Sequence, residues 1–284
     1  MSEILAVIMN LSVLVFVITS MLAMGLNLTI KQIVEPLRNM RLVILALIAN
    51  FILVPILAYL IISVIPLEQG LATGLILMAT AAGAPFLPKL AQAAKGNLAF
   101  AVGLMVLLMM VTIIYMPIVL PLLLQGVEVN PWDIAKSLII MMLVPLAIGL
   151  FIKARYESTA ESLQPHMSQT STVAIAILMV TGIVLNFSAI VGVIGTGAII
   201  AILVFLVVAL ILGYFLGGAE SGTCSVLGLG TAQRNLSAAL VVAAQNFADD
   251  PNVLTMILVA GLVGLVLLMV VGGELGKREE AQTS

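Results

Sequence analysis

Charge is what this sequence has least of. Only 8% of its 284 residues are Asp, Glu, Lys or Arg, against about 25% in an ordinary soluble domain. With 63% hydrophobic residues and a mean hydropathy of +1.30, that scarcity excludes a soluble globular chain. Cysteine is nearly absent too. Cys224 stands alone, so neither an internal disulfide nor a multi-cysteine metal site can form. The formal net charge is −2, and no basic block with interleaved aromatics offers a surface to nucleic acid. No nucleotide-binding loop, Ser-His-Asp set or metal-ligand spacing appears, which argues against an enzyme. The 16 methionines are scattered as packing residues rather than clustered for copper.

What is present is a succession of apolar segments. Each of about twenty residues can cross a hydrocarbon core about 30 Å thick. Hydropathy and punctuation predict helices near 3–26, 41–64, 70–95, 98–124, 132–153, 167–188, 192–216, 220–247 and 252–275. The fold class is therefore all-α polytopic membrane protein with about nine transmembrane helices, and 1–284 forms a single transmembrane domain. The first stretch is too long for a signal-peptide core and lacks a basic leader, so it reads as a retained helix. Neither end shows a lipidation signature.

The basic residues give this count an independent check, because a misplaced span would scramble their sidedness. Lys31, Arg38, Arg41, Lys95, Lys153, Arg155, Lys277 and Arg278 fall on one side, and only Lys136 on the other. The basic side should be cytoplasmic, placing the N-terminus outside a plasma membrane and the C-terminus inside. The acids Glu3, Glu68, Glu128, Asp133, Asp249 and Asp250 collect on the outer side. Helices one to four and six to nine share the order plain, plain, interrupted, plain. The halves 1–124 and 167–275 then form an inverted repeat around an unpaired helix at 132–153, the pattern of secondary transporters whose matched broken helices hold the binding site.

The interruptions carry the chemistry. Gly83, Pro85 and Pro88 lie inside the third segment beside Lys89. Each proline in a helix interior costs about 3 kcal/mol, and the backbone groups it frees need protein or a water-lined cavity. Lys89 is about six residues, roughly 9 Å, from the cytoplasmic end at Gly96. It can either snorkel or face a central cavity. The eighth segment holds Arg234 near its middle, where Gly228 and Gly230 loosen the preceding turns and break the helix, with Thr231, Gln233, Asn235 and Ser237 around it. An arginine at that depth costs at least about 2.5–3.5 kcal/mol and marks a substrate or ion path by default. Carbonyls of the other broken helix are its alternative partner. No acid within the spans faces these two cations, so a small organic anion is their expected partner. His166 reads as a solvated loop histidine beside Glu157 and Glu161.

Met24-Gly25-Leu26, Asn50-Phe51 with Pro55, Ala94-Lys95-Gly96-Asn97 and Gln233-Arg234-Asn235, in this order and spacing, resemble the bile acid:sodium symporter family within the larger group of bile acid, arsenite and riboflavin transporters. The resemblance implies a panel of helices beside a core in which two broken helices cross, with alternating access and an organic-anion substrate. Arsenite transport in that larger group uses a thiol, for which Cys224 alone is a thin basis. Family sodium sites resemble a set of Ser and Asn after the first break, a hydroxyl in the next helix, and Glu, Gln and Asn in the second broken helix. Here those positions hold Leu87, Pro88, Ala101, Met105, Gly230, Arg234 and Asn235. The resulting expectation is a secondary active or facilitative carrier without a sodium site or other cofactor, in which Lys89 and Arg234 replace bound sodium. Proton coupling follows if Lys89 titrates. The expected substrate-binding set is Lys89, Arg234, Asn235, Gln233, Thr231 and Asn50. A sodium-coupled symporter is the alternative within the family, and a channel or sensor the alternative outside it. The sequence carries no signal for oligomeric state.

Overall fold

A computed structural model describes residues 2–34, 38–124, 130–185, 187–218 and 220–283, and every regular element among them is helical. Twelve helices are numbered: α1 (Ser2–Asn27), α2 (Met40–Val64), α3 (Gln69–Thr80), α4 (Leu87–Ala93), α5 (Leu98–Leu123), α6 (Pro131–Arg155), α7 (Glu157–Leu185), α8 (Phe187–Val193), α9 (Ala198–Leu216), α10 (Ser221–Ala232), α11 (Leu236–Asn246) and α12 (Pro251–Thr283). A five-residue helix at Ile30–Val34 is left unnumbered. Six of them, α1, α2, α5, α6, α9 and α12, are long and apolar enough to cross a membrane. The chain is an integral membrane protein. Glu128 lies outside the described residues, as does the side chain of Glu3.

Two helices owe their local shape to proline. Pro55 has no N–H, so the Phe51 carbonyl four residues earlier loses its helical donor. The chain widens there into a π-helical turn at Ala49–Leu53, and the Tyr115 hydroxyl donates to the freed Phe51 oxygen at 2.7 Å. Pro145 sits the same way behind a π-helical turn at Ile139–Leu143 in α6. The turn in α2 brings Asn50 to full burial.

Helix α1 packs along α6 and α7, while α9 packs on α10 and α3 on α12. The α1–α6 crossing is close because both helices place glycine there. A Cβ on Gly25 would lie 2.3 Å from the Leu146 oxygen, and one on Gly149 2.6 Å from the Leu22 oxygen.

Three expectations need correction. His166 is not in a loop: α7 begins at Glu157 and runs unbroken through Pro165. Lys153 bonds Glu157 at 3.0 Å and Glu161 at 3.5 Å across the α6–α7 hairpin. Polarity without a glycine cluster describes an exposed helix as well as a loop, and His166 is exposed with Nδ1 2.9 Å from the Ser162 oxygen. Pro88 does not break a helix; it lies in the first turn of α4, where its missing N–H has no intrahelical partner to lose. Gly228 and Gly230 do not loosen α10, which stays regular to Ala232. They let neighbours approach instead. A Cβ at Gly228 would meet the Leu210 oxygen at 3.1 Å.

Candidate functional site

Residues 81–86 separate α3 from α4, and 233–235 separate α10 from α11. Gly83 adopts φ +79°, a conformation glycine enters without steric cost. It also lies against the backbone of α5, where a Cβ would be 2.2 Å from the Met109 nitrogen. Thr112 of α5 steadies the same segment, accepting from the Ala82 N–H at 3.0 Å and donating to the Ala82 oxygen at 3.1 Å.

A helix that stops inside a membrane leaves its last carbonyls without donors. Arg234 supplies them. Its Nε donates to the Met78 oxygen at 2.9 Å and Nη2 to the Ala79 oxygen at 2.7 Å, both at the C-terminal end of α3. Nη1 donates to the Asn50 Oδ1 at 2.8 Å and to the Thr231 oxygen at 3.0 Å, near the end of α10. The guanidinium, 4% exposed, therefore caps two half-helices at once. Each helix C-terminus carries about −0.5 of an elementary charge. Two of them together offset roughly one positive charge, so Arg234 is compensated here by backbone dipoles. The sequence offered an organic anion or carbonyls of the other broken helix as its partner, and the structure shows the carbonyl contacts.

Asn235 completes the tie. Its N–H donates to the Ala81 oxygen at 2.8 Å, its Nδ2 donates to the Gly83 oxygen at 3.0 Å, and its Oδ1 caps α11 by accepting from the Ala238 N–H at 3.1 Å. Asn50 Nδ2 donates to the Ala46 oxygen at 3.0 Å and to Thr231 Oγ1 at 3.3 Å. Arg234, Asn235, Thr231 and Asn50 thus form one buried cluster. Gln233 flanks it, with an Oε1 that finds no partner among the described residues, as does the Ser237 hydroxyl.

Lys89 stays outside this cluster. It is exposed on α4, with Nζ 5.6 Å from the centre of the Phe86 ring. Direction around a short helix decides this. Lys89→Gln is expected to retain most substrate uptake in reconstituted vesicles, whereas substitutions at Arg234 or Asn235 are not.

Of the positions at which the resemblance sets sodium ligands, Leu87, Pro88, Ala101, Met105 and Gly230 carry no side-chain oxygen. Leu87, Ala101, Leu104 and Met105 are buried. A Cβ on Gly230 would lie 2.9 Å from Leu87 Cδ2 and 3.3 Å from Leu104 Cδ2. Sodium needs several oxygen ligands, and of that set only Asn235 carries a side-chain oxygen, which is engaged in capping α11. Cys224 is buried with Sγ 3.1 Å from the Gly218 oxygen, a packing role near the start of α10.

The sequence offered carbonyls of the other broken helix as partners of Arg234 without identifying Met78 and Ala79, because backbone oxygens leave no residue signature. Thr112 was findable: it is the one hydroxyl-bearing threonine in the apolar run from Leu104 to Ile114.

The profile of the sodium bile acid symporter family matches residues 13–219. Two curated relatives are named probable sodium/metabolite cotransporter BASS3, chloroplastic. The protein from Arabidopsis thaliana is 25% identical over 196 residues, covering 69% of this chain and 46% of the relative. That from Oryza sativa subsp. japonica is 21% identical over 267 residues, covering 91% of this chain and 63% of the relative. The chain thus spans roughly half to two-thirds of the length of these relatives.

Proposed function

From the premise that the chain belongs to the sodium bile acid symporter family, we propose that it is a carrier of a small organic anion that works by alternating access without sodium. The observation that carries this reading is the Arg234 guanidinium, fixed between the C-termini of α3 and α10. It places a permanent cation where two half-helix dipoles need one. A carrier that depends on sodium leaves this charge to a dissociable ion; here it is covalent. The apolar packing of Leu87 and Leu104 against Gly230 supports the same reading.

In this account the two broken segments and α7 also cross the membrane, which gives nine crossings and an inverted repeat of 1–124 with 167–275 around α6. Helices α1, α6 and α7 form the panel; α2 to α5 and α9 to α12 form the core. The N-terminus faces outward from a plasma membrane and the C-terminus the cytoplasm. The substrate sits beside the crossing, near Asn235 and Gln233, with Arg234, Asn50 and Thr231 holding the shape of its site. Lys89, on the surface of α4, is not part of it.

A thermal-stability screen of the purified protein against carboxylated and sulfonated metabolites, in sodium and in choline, tests the substrate class. The expected result is stabilisation by one class of anion to the same degree in both media. Stabilisation by neutral or cationic solutes alone contradicts it.

A further inference from the structure

At about 1.5 Å per residue, the 33 residues of α12 reach roughly 50 Å, well beyond the ~30 Å hydrocarbon core. Its far end is attached. Glycines along α12 let it ride on α4: a Cβ at Gly272 would be 3.4 Å from the Leu90 oxygen, and one at Gly276 2.3 Å from the Ala93 oxygen. One turn further on, two adjacent acids diverge. Glu279 accepts from the Ser221 hydroxyl at the start of α10, and Glu280 pairs with Lys95 just after α4.

These two targets already touch. Lys95 turns the chain with φ 51°, the Gly96 N–H closes back on the Ala91 oxygen at 2.9 Å, and the Asn97 N–H donates to the Gly222 oxygen at 3.1 Å. A Cβ on Gly96 would lie 3.0 Å from that same oxygen. The ends of α4 and α10 therefore meet at a glycine contact, with α12 bonded to each.

We infer that the far end of α12 is a clamp that holds the α4 and α10 ends together, so that both arms of the crossing travel as one body with α12. Residues 279 and 280 are about 100° apart around a helix, which lets neighbouring side chains reach two different elements. The exposed Lys95–Glu280 pair contributes little by itself, and the Ser221–Glu279 hydrogen bond beside it is part-buried. The two act together with the glycine packing at Gly272 and Gly276.

The test has two arms, since its transport readout rests on the carrier reading above. In a Cys224→Ala background, Lys95→Cys with Glu280→Cys is bridged in reconstituted vesicles by a bis-maleimide long enough to replace two opposed long side chains, whose Cα atoms lie too far apart for a disulfide, and is compared with Met141→Cys and Gln245→Cys. The latter pair joins α6 to α11, where the Gln245 amide lies 3.5 Å from Met141 Sδ. The clamp pair should crosslink readily and keep uptake within about twofold of the unbridged protein, while the α6–α11 crosslink should stop it. Failure of the clamp pair to crosslink, or loss of uptake once it has, overturns the clamp. The second arm needs no transport. Glu279→Ala with Glu280→Ala in purified protein should raise amide exchange at 93–97 and 221–224 at least several-fold, leaving 234–246 unchanged. Unchanged exchange at those two segments overturns the clamp, whereas raised exchange without uptake in any variant counts against the carrier reading alone.

Discussion

Alanine in place of Arg234 is expected to lower the stability of the folded protein by about 3–5 kcal/mol, the range for breaking a buried charge-bearing network. The substitution strands the buried Ala79 and Thr231 oxygens and Asn50 Oδ1, and leaves the Met78 oxygen with only the longer bond from the Ala81 N–H at 3.3 Å. Burying the guanidinium itself carries a desolvation cost, which is why four charge-assisted bonds do not sum to their full value. Arg234→Gln separates charge from shape. It leaves a polar side chain of smaller reach, and four oxygens that had converged on a cation. Sodium chloride, compared with choline chloride, should therefore raise the unfolding temperature of Arg234→Gln and leave that of the parent protein unmoved. Equal responses in both proteins would show that the guanidinium does not occupy a cation's place.

Gly83→Ala should be as damaging, by about 4 kcal/mol or through outright loss of folded protein. Two effects add. Alanine at φ +79° is strained by about 1–2 kcal/mol, and its Cβ would lie 2.2 Å from the Met109 nitrogen and 2.7 Å from the Met105 oxygen. Both are backbone atoms of α5, so no side-chain rotation relieves the clash. The segment would have to lift away and break the Asn235 bond to the Gly83 oxygen. Gly273→Ala is the matched control. A Cβ there meets nothing within 4 Å, and alanine in a helix interior is better than glycine by about 0.5–1 kcal/mol. Thermal unfolding in detergent should show opposite signs for the two variants.

The contrast between these glycines also shows what a sequence discloses. The break near Gly83 and Pro85 was legible because proline within a long apolar run has a backbone consequence wherever it occurs. Pro88 in the same run was not, since a proline two residues into a new helix and one inside an old helix look alike in one dimension. Arg234 announced itself by depth. Its partners did not, because three of its four acceptors are backbone carbonyls, and which carbonyls are orphaned depends on where α3 and α10 end. Lys89 shared the depth argument but lacked a direction, and only the facing of α4 separates a cavity lysine from one resting on Phe86. Gly228 and Gly230 were read as weak points of α10, while the fold uses them as flat ones. The apolar character of Leu87, Ala101 and Met105 was visible along the chain; that Leu87 packs onto Gly230 required three dimensions.

On the proposed reading, Arg234, Asn235, Asn50 and Thr231 form a crossing whose cation is built in. Uptake of the anion found by the stability screen, measured in proteoliposomes with external sodium replaced by choline or potassium, tests this most directly. Initial rates should agree within about twofold across the three media, with no change when a sodium gradient is imposed. A steep rise with sodium that collapses when the gradient is dissipated would contradict it.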